Sequence, residues 1–111
     1  MLPAEFRLRK SADITATLRA GRRFASRLLV LHVDRGPDAQ TRFAFAVGKN
    51  VGNSVARHRV TRQLRHLTTQ SAEQFPAGSR VVVRALPLCQ DASFAELSES
   101  FGAAVAKVIA S

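Results

Sequence analysis

Carboxylates are scarce in this chain: eight Asp and Glu stand against seventeen Lys and Arg in 111 residues. None of the eight falls between residues 39 and 72. A protein nuclease that holds its own metal ions needs clustered carboxylates, or a His beside an acid, and this chain has little material for either. Cysteine is scarcer still. The single Cys89 excludes a disulfide framework within the chain and a cysteine-based metal site, and it fits a reducing, cytoplasmic setting. Placed two residues after Pro87, it reads as a small packed residue with nothing nearby to activate it. No run approaches the roughly 20 apolar residues of a membrane span, so no membrane partner is expected. The first ten residues carry cations without an apolar run behind them, which is not the pattern of a signal peptide. Internal repeats and low-complexity segments are absent as well.

What is present is one domain's worth of ordinary globular sequence with an extraordinary charge. A length of 111 residues suits a single domain, 1–111, with one core. Hydrophobic residues make up 46% and charged ones 23%, which argues against disorder. The formal charge is +9 and the sequence pI about 11.6. Only Lys10, Lys49 and Lys107 are lysines, so fourteen of the seventeen cations are Arg. Arg grips phosphate bidentately and stacks on bases, which favours a nucleic-acid partner. A GC-rich genome accounts for Arg over Lys, but not for cations over anions.

Read in order, residues 1–10 form an extended basic arm, in which Phe6 and Leu8 alternate with Arg7, Arg9 and Lys10. Ser11 suits a helix N-cap, Asp13 the first turn and Gly21 the stop, with Ile14 and Leu18 on one face. Gly21-Arg22-Arg23 reads as a basic turn. Leu28–Val33 is a strand, broken by Arg35-Gly36-Pro37-Asp38. Arg42–Gly48 alternates, with Phe43, Phe45 and Val47 on one face and Ala44, Ala46 and Gly48 on the other. The small face admits close approach by a helix or an extended ligand. These two runs are expected to pair as an antiparallel hairpin. Arg80–Leu86 is a third strand, ended by Pro87. Ser93-Phe94-Ala95-Glu96 is a capping box, so a last helix starts at Phe94, with Phe94, Leu97, Phe101, Ala104, Val105 and Val108 as its apolar stripe. The expected fold class is α+β: a single-domain α/β sandwich on a mixed central sheet, in the order helix-strand-strand-helix-strand-helix. The strand, helix and strand in succession imply a parallel pair.

The chain is organised around residues 47–66. A strand end passes Gly48, Gly52 and a polar cluster and becomes a helix from about Asn53 to Thr69. Ala56, Val60, Leu64 and Leu67 recur at i, i+4, i+8 and i+11 as an apolar stripe. His58, Arg62, Arg65 and His66 make a basic ridge on the opposite side, with Arg59 beside it and Val55 as an apolar intruder. A solvated helix face would interleave Glu with these cations, and none is present. His58 and His66 lack a third ligand at useful spacing, so no zinc site is expected.

On these residues the chain resembles the protein subunit of bacterial ribonuclease P. The resemblance rests on Lys49, Gly52-Asn53-Ser54-Val55, Arg57-His58-Arg59, Arg62 and Arg65. It departs at His58, where the family usually has Asn, and at Ile14 and Leu18, where the family often has two Phe. Losing those rings removes base stacking, worth about 1–3 kcal/mol per base. The resemblance implies a left-handed βαβ crossover, against the usual right-handed outcome. It implies a ribonucleoprotein endonuclease that removes the 5′ leader of precursor tRNA, with hydrolysis performed by the catalytic RNA and its bound Mg²⁺. Lys49, Asn53, Arg57, His58, Arg59, Arg62, Arg65 and His66 would contact that RNA. Ile14, Leu18, Arg27 and Phe43 or Phe45 would form a cleft for the single-stranded leader, though alternation leaves open which strand face lines it. His32, Phe43 and Phe45 also read simply as structural. The competing readings are a non-catalytic RNA-binding module, such as a ribosomal protein of similar fold, and a self-sufficient nuclease. The first is disfavoured by the motif at 49–65, the second by the shortage of carboxylates.

Overall fold

Three valines in a row, Val81-Val82-Val83, are each buried, so their strand needs cover on both faces and neighbours on both edges. A computed structural model, describing residues 4–37 and 39–111, gives it that position. The strands are β1 (Arg22–Ala25), β2 (Leu29–Arg35), β3 (Arg42–Ala46) and β4 (Ser79–Ala85), in the sheet order β1-β2-β4-β3. Strand β4 runs antiparallel to β2, from Leu29 opposite Ala85 to Arg35 opposite Ser79. It runs parallel to β3, with Phe43 beside Val81 and Phe45 beside Val83. The parallel pair joined by a helix is as expected. The hairpin is not: β4 lies between β2 and β3. The strand with the most buried residues takes a central place, and β3, with its Ala face, moves to the edge.

A fourth strand stands where a basic turn was expected. Strand β1 pairs antiparallel with β2, and only Phe24 of its four residues is buried. Arginines at the sheet edge discourage further pairing, and they also hide the strand from any reading by alternation.

The helices are α1 (Ser11–Ala20), α2 (Ser54–Ser71) and α3 (Phe94–Ala110). Val60, Leu64 and Leu67 of α2 and Leu97, Phe101, Ala104, Val105 and Val108 of α3 cover one sheet face, over Phe24, Leu29, Leu31, Phe43, Val81 and Val83. Helix α1 covers the other, where Ile14 and Leu18 pack with Leu8, Ala44, Ala46 and Val82. The sheet is therefore sandwiched, and the small face of β3 admits a helix.

Local chemistry sets the helix ends. The Ser93 hydroxyl accepts from the Glu96 N–H at 3.1 Å, and the Glu96 carboxylate accepts from the Ser93 N–H at 3.0 Å, the expected capping box. Helix α1 begins differently. Lys10 is its N-cap, without a side-chain bond, and Ser11 is already helical. Gly21 closes it by donating to Thr17 at 2.9 Å, and a Cβ there would lie 2.5 Å from the Thr17 carbonyl oxygen. The basic arm is tied down as well: Arg7 bridges to Phe43, and the Leu8 N–H donates to the Phe43 carbonyl at 2.7 Å.

Candidate nucleic-acid interface

Strand β3 ends at Ala46, and a single 3₁₀ turn, Lys49–Val51, separates it from α2. Val51 is fully buried and pins this turn. Gly52 then adopts φ +148°, and a Cβ built there would sit 3.0 Å from that of Ala56, so the position demands glycine. Asn53 is the N-cap; its side-chain oxygen accepts from the Ala56 N–H at 2.9 Å. The Gly-Asn step is thus the device that aims α2.

The two sides of α2 separate as the sequence indicates. Val60, Leu64 and Leu67 are buried, while Arg57, His58, Arg62, Arg65 and His66 line a groove of about 650 Å³, joined by Ser54, Thr61 and Val47. Among the described residues, none of these cations has a carboxylate within ion-pair distance. Guanidiniums crowded on one helix face repel one another, and that repulsion is relieved by a polyanion. Phosphate fits this chemistry. A divalent cation does not: it takes oxygen ligands, and the groove supplies guanidinium, imidazole and hydroxyl groups without a carboxylate. Among the described residues no three His, Cys, Asp or Glu come together as a metal site.

Three residues named with the ridge stand apart from the groove. Lys49 is exposed on the 3₁₀ turn before it, and the Asn53 oxygen is occupied by capping. Arg59 turns to the far flank, where its guanidinium donates to the Gln90 carbonyl at 2.7 Å.

The residues expected to form a leader cleft are only partly gathered. Ile14, Phe43 and Phe45 border a recess of about 330 Å³ between the basic arm, the outer edge of β3 and Arg65 of α2. Phe43 is 1% exposed and packs edge-on against Phe75, with centroids 5.3 Å apart, so it is core and no platform for a base. Ile14 and Leu18 are half-buried over Ala44 and Ala46, which settles which face of β3 looks toward α1. Arg27 is elsewhere, in the β1–β2 turn, paired with Glu96 at 3.0 Å.

Sequence reasoning passed over cations on that same sheet face. His32 is 3% exposed, with Arg23 opposite it across the β1–β2 pair. Its Nε2 accepts from Arg84 Nε at 3.2 Å, while its Nδ1 is buried without a partner among the described residues. Burial first, then the Arg84 and Arg23 charges, push its pKa below the ordinary value. Period-two register with Ala44 and Ala46 was the available signal, since Arg84 sits beside Ala46. It needed the strand order to be read. Cys89 is buried with its S–H directed at the Leu28 carbonyl at 3.0 Å, and burial pushes its thiol pKa up, so it is a packed, unactivated residue.

Several known proteins resemble this chain in sequence and in shape. A sequence model of the family Ribonuclease P matches residues 2–109. The ribonuclease P protein component of Acidothermus cellulolyticus is 48% identical over 107 residues, spanning 91% of this chain and 86% of that protein. That of Corynebacterium diphtheriae is 44% identical over 115 residues, 97% of each. Among solved structures, the RNase P protein of Staphylococcus aureus superposes with a TM-score of 0.84 at 23% identity, over 94% of this chain and 97% of that one. The protein from Thermotoga maritima gives 0.79 at 16% identity, over 95% and 96%. Agreement of the whole trace at this level requires the same strand order and the same hand of the β3–α2–β4 crossover.

Proposed function

Because this chain belongs to the ribonuclease P protein family, we propose that it is the RNA-binding subunit of a cytoplasmic ribonucleoprotein endonuclease that removes the 5′ leader of precursor tRNA. One observation carries the reading: a groove along α2 whose Arg57, Arg62 and Arg65 have no ion-pair partner among the described residues. Its occupant is the backbone of the catalytic RNA. Binding there releases counterions and relieves the repulsion between the guanidiniums. Lys49, on the turn before the helix, and His66, within the groove, extend the contact beyond these three. His58, where the family usually has Asn, donates to the same backbone from its imidazole.

Hydrolysis is assigned to the RNA and to Mg²⁺ held by it, because the donors of this chain suit phosphate and not a divalent metal. The protein's share is to position. The single-stranded leader of the precursor runs along the open flank of the contact between α1 and the sheet, past Ile14 and Leu18 where they pack on Ala44 and Ala46, with Arg84 at its side. With Ile and Leu beside it, the contact is apolar and lacks ring stacking, so leader binding is weak and tolerant of sequence.

The test is leader dependence. The reconstituted complex of this protein with a ribonuclease P RNA should bind a precursor tRNA more tightly than the matching mature tRNA, and the RNA alone should show a much smaller difference. Equal preference with and without the protein contradicts the leader cleft.

A further inference from the structure

Phe94 opens α3, and 41% of it is exposed. Helical spacing places it on the same stripe as Leu97 and Phe101, yet those two are buried and Phe94 is not. Core packing therefore covers only part of its ring. Its ring neighbour is His66 of α2, with centroids 6.0 Å apart and planes 52° from parallel. His66 also lines the cationic groove. The two rings stand where that groove meets the start of α3.

Other apolar surface gathers on this flank. Val55 is 76% exposed and shares a helix face with Arg59, Arg62 and His66, at i, i+4, i+7 and i+11. Leu88 is 60% exposed and lies two residues before Gln90, whose carbonyl holds Arg59. The nearby Glu96 carboxylate is bonded to the Ser93 N–H and to Arg27. Asp91 is exposed on the turn before Phe94.

An open ring that meets, through His66, a groove of guanidiniums without ion-pair partners among the described residues has the composition of a single-strand contact: cations take phosphates and the ring takes a base. Continuity with the groove selects the occupant, since a backbone lying along Arg62 and Arg65 reaches His66 next. We propose that Phe94 and His66 form a stacking platform for an unpaired nucleobase of the RNA that lies along α2. The inference rests on the RNA-binding reading and adds a base contact to a surface that otherwise meets phosphates.

The chain contains no tryptophan, so Phe94→Trp installs a single emitter at the platform. Its fluorescence is titrated with a ribonuclease P RNA while filter binding follows complex formation independently. Stacking predicts quenching that tracks the binding curve. Phe94→Ala and Phe94→Leu should each weaken RNA binding by about 5- to 150-fold, Leu as much as Ala, with thermal midpoints close to that of the parent. Unchanged emission at saturating RNA, or parental affinity in Phe94→Leu, overturns the platform and leaves the subunit assignment standing. Failure of the parent protein to bind the RNA overturns the assignment and the platform together.

Discussion

The Arg59 guanidinium and the Gln90 carbonyl meet at 2.7 Å, which ties the first turns of α2 to the 3₁₀ turn Pro87–Asp91. An arginine of the Arg57-His58-Arg59 motif thus holds the helix in place. Arg59→Ala should lower stability by about 1 kcal/mol, seen as an earlier urea midpoint, and leave the salt dependence of RNA binding unchanged. A reduced salt slope at parental stability would return Arg59 to the RNA-contacting set.

Arg62 and Arg65 behave in the opposite way. Both are exposed along the groove and neither has an ion-pair partner among the described residues. Arg62→Ala and Arg65→Ala should each leave the melting midpoint nearly unchanged and reduce the slope of log K against log salt by about 1. Parental slopes in both variants would mean that this helix face meets something other than phosphate.

His32 gives the fold a pH dependence. Its pKa is held below the unfolded value of about 6.5 by burial and by the Arg84 and Arg23 charges. Below that pH the unfolded chain takes up the proton more readily than the folded one, so stability falls as pH drops from about 6.5 toward 5. His32→Gln keeps an acceptor for Arg84 and has no proton to gain, so its stability should be flatter across this window. Urea midpoints at pH 5 and 7.5 decide the matter: an equal fall in both proteins places the titration elsewhere.

Two glycines are predicted to respond with opposite signs. Gly102 lies within α3 facing open space, where an added Cβ meets nothing within 4 Å. Gly102→Ala should raise stability by about 0.5–1 kcal/mol. Gly52→Ala, at φ +148° and against Ala56, should lower it by more than that and weaken RNA binding by misdirecting α2. Thermal unfolding of the pair is a sufficient check.

Much of this arrangement was legible in the residues. The capping box at Ser93, the apolar stripe of Val60, Leu64 and Leu67 and the parallel pairing of β3 with β4 all follow from local chemistry and short-range periodicity. So does the groove, because a helix with no acid between residues 39 and 72 leaves its cations unpaired. What was hidden depends on long-range pairing. Strand order depends on pairings between distant segments, which put β4 between β2 and β3. Strand β1 buries only Phe24 and carries no pattern. The positions of Arg27, drawn to Glu96, and of Arg59, drawn to Gln90, depend on partners 69 and 31 residues away.

The central claim is that this chain positions RNA and that the RNA performs the cleavage. Its most direct test is a reconstitution at low Mg²⁺ with a leader-bearing precursor tRNA, comparing protein alone, ribonuclease P RNA alone and the two together. The account predicts no cleavage by the protein, slow or undetectable cleavage by the RNA, and efficient release of the 5′ leader by the mixture. Leader release by the RNA-free protein at the rate of the mixture would contradict it.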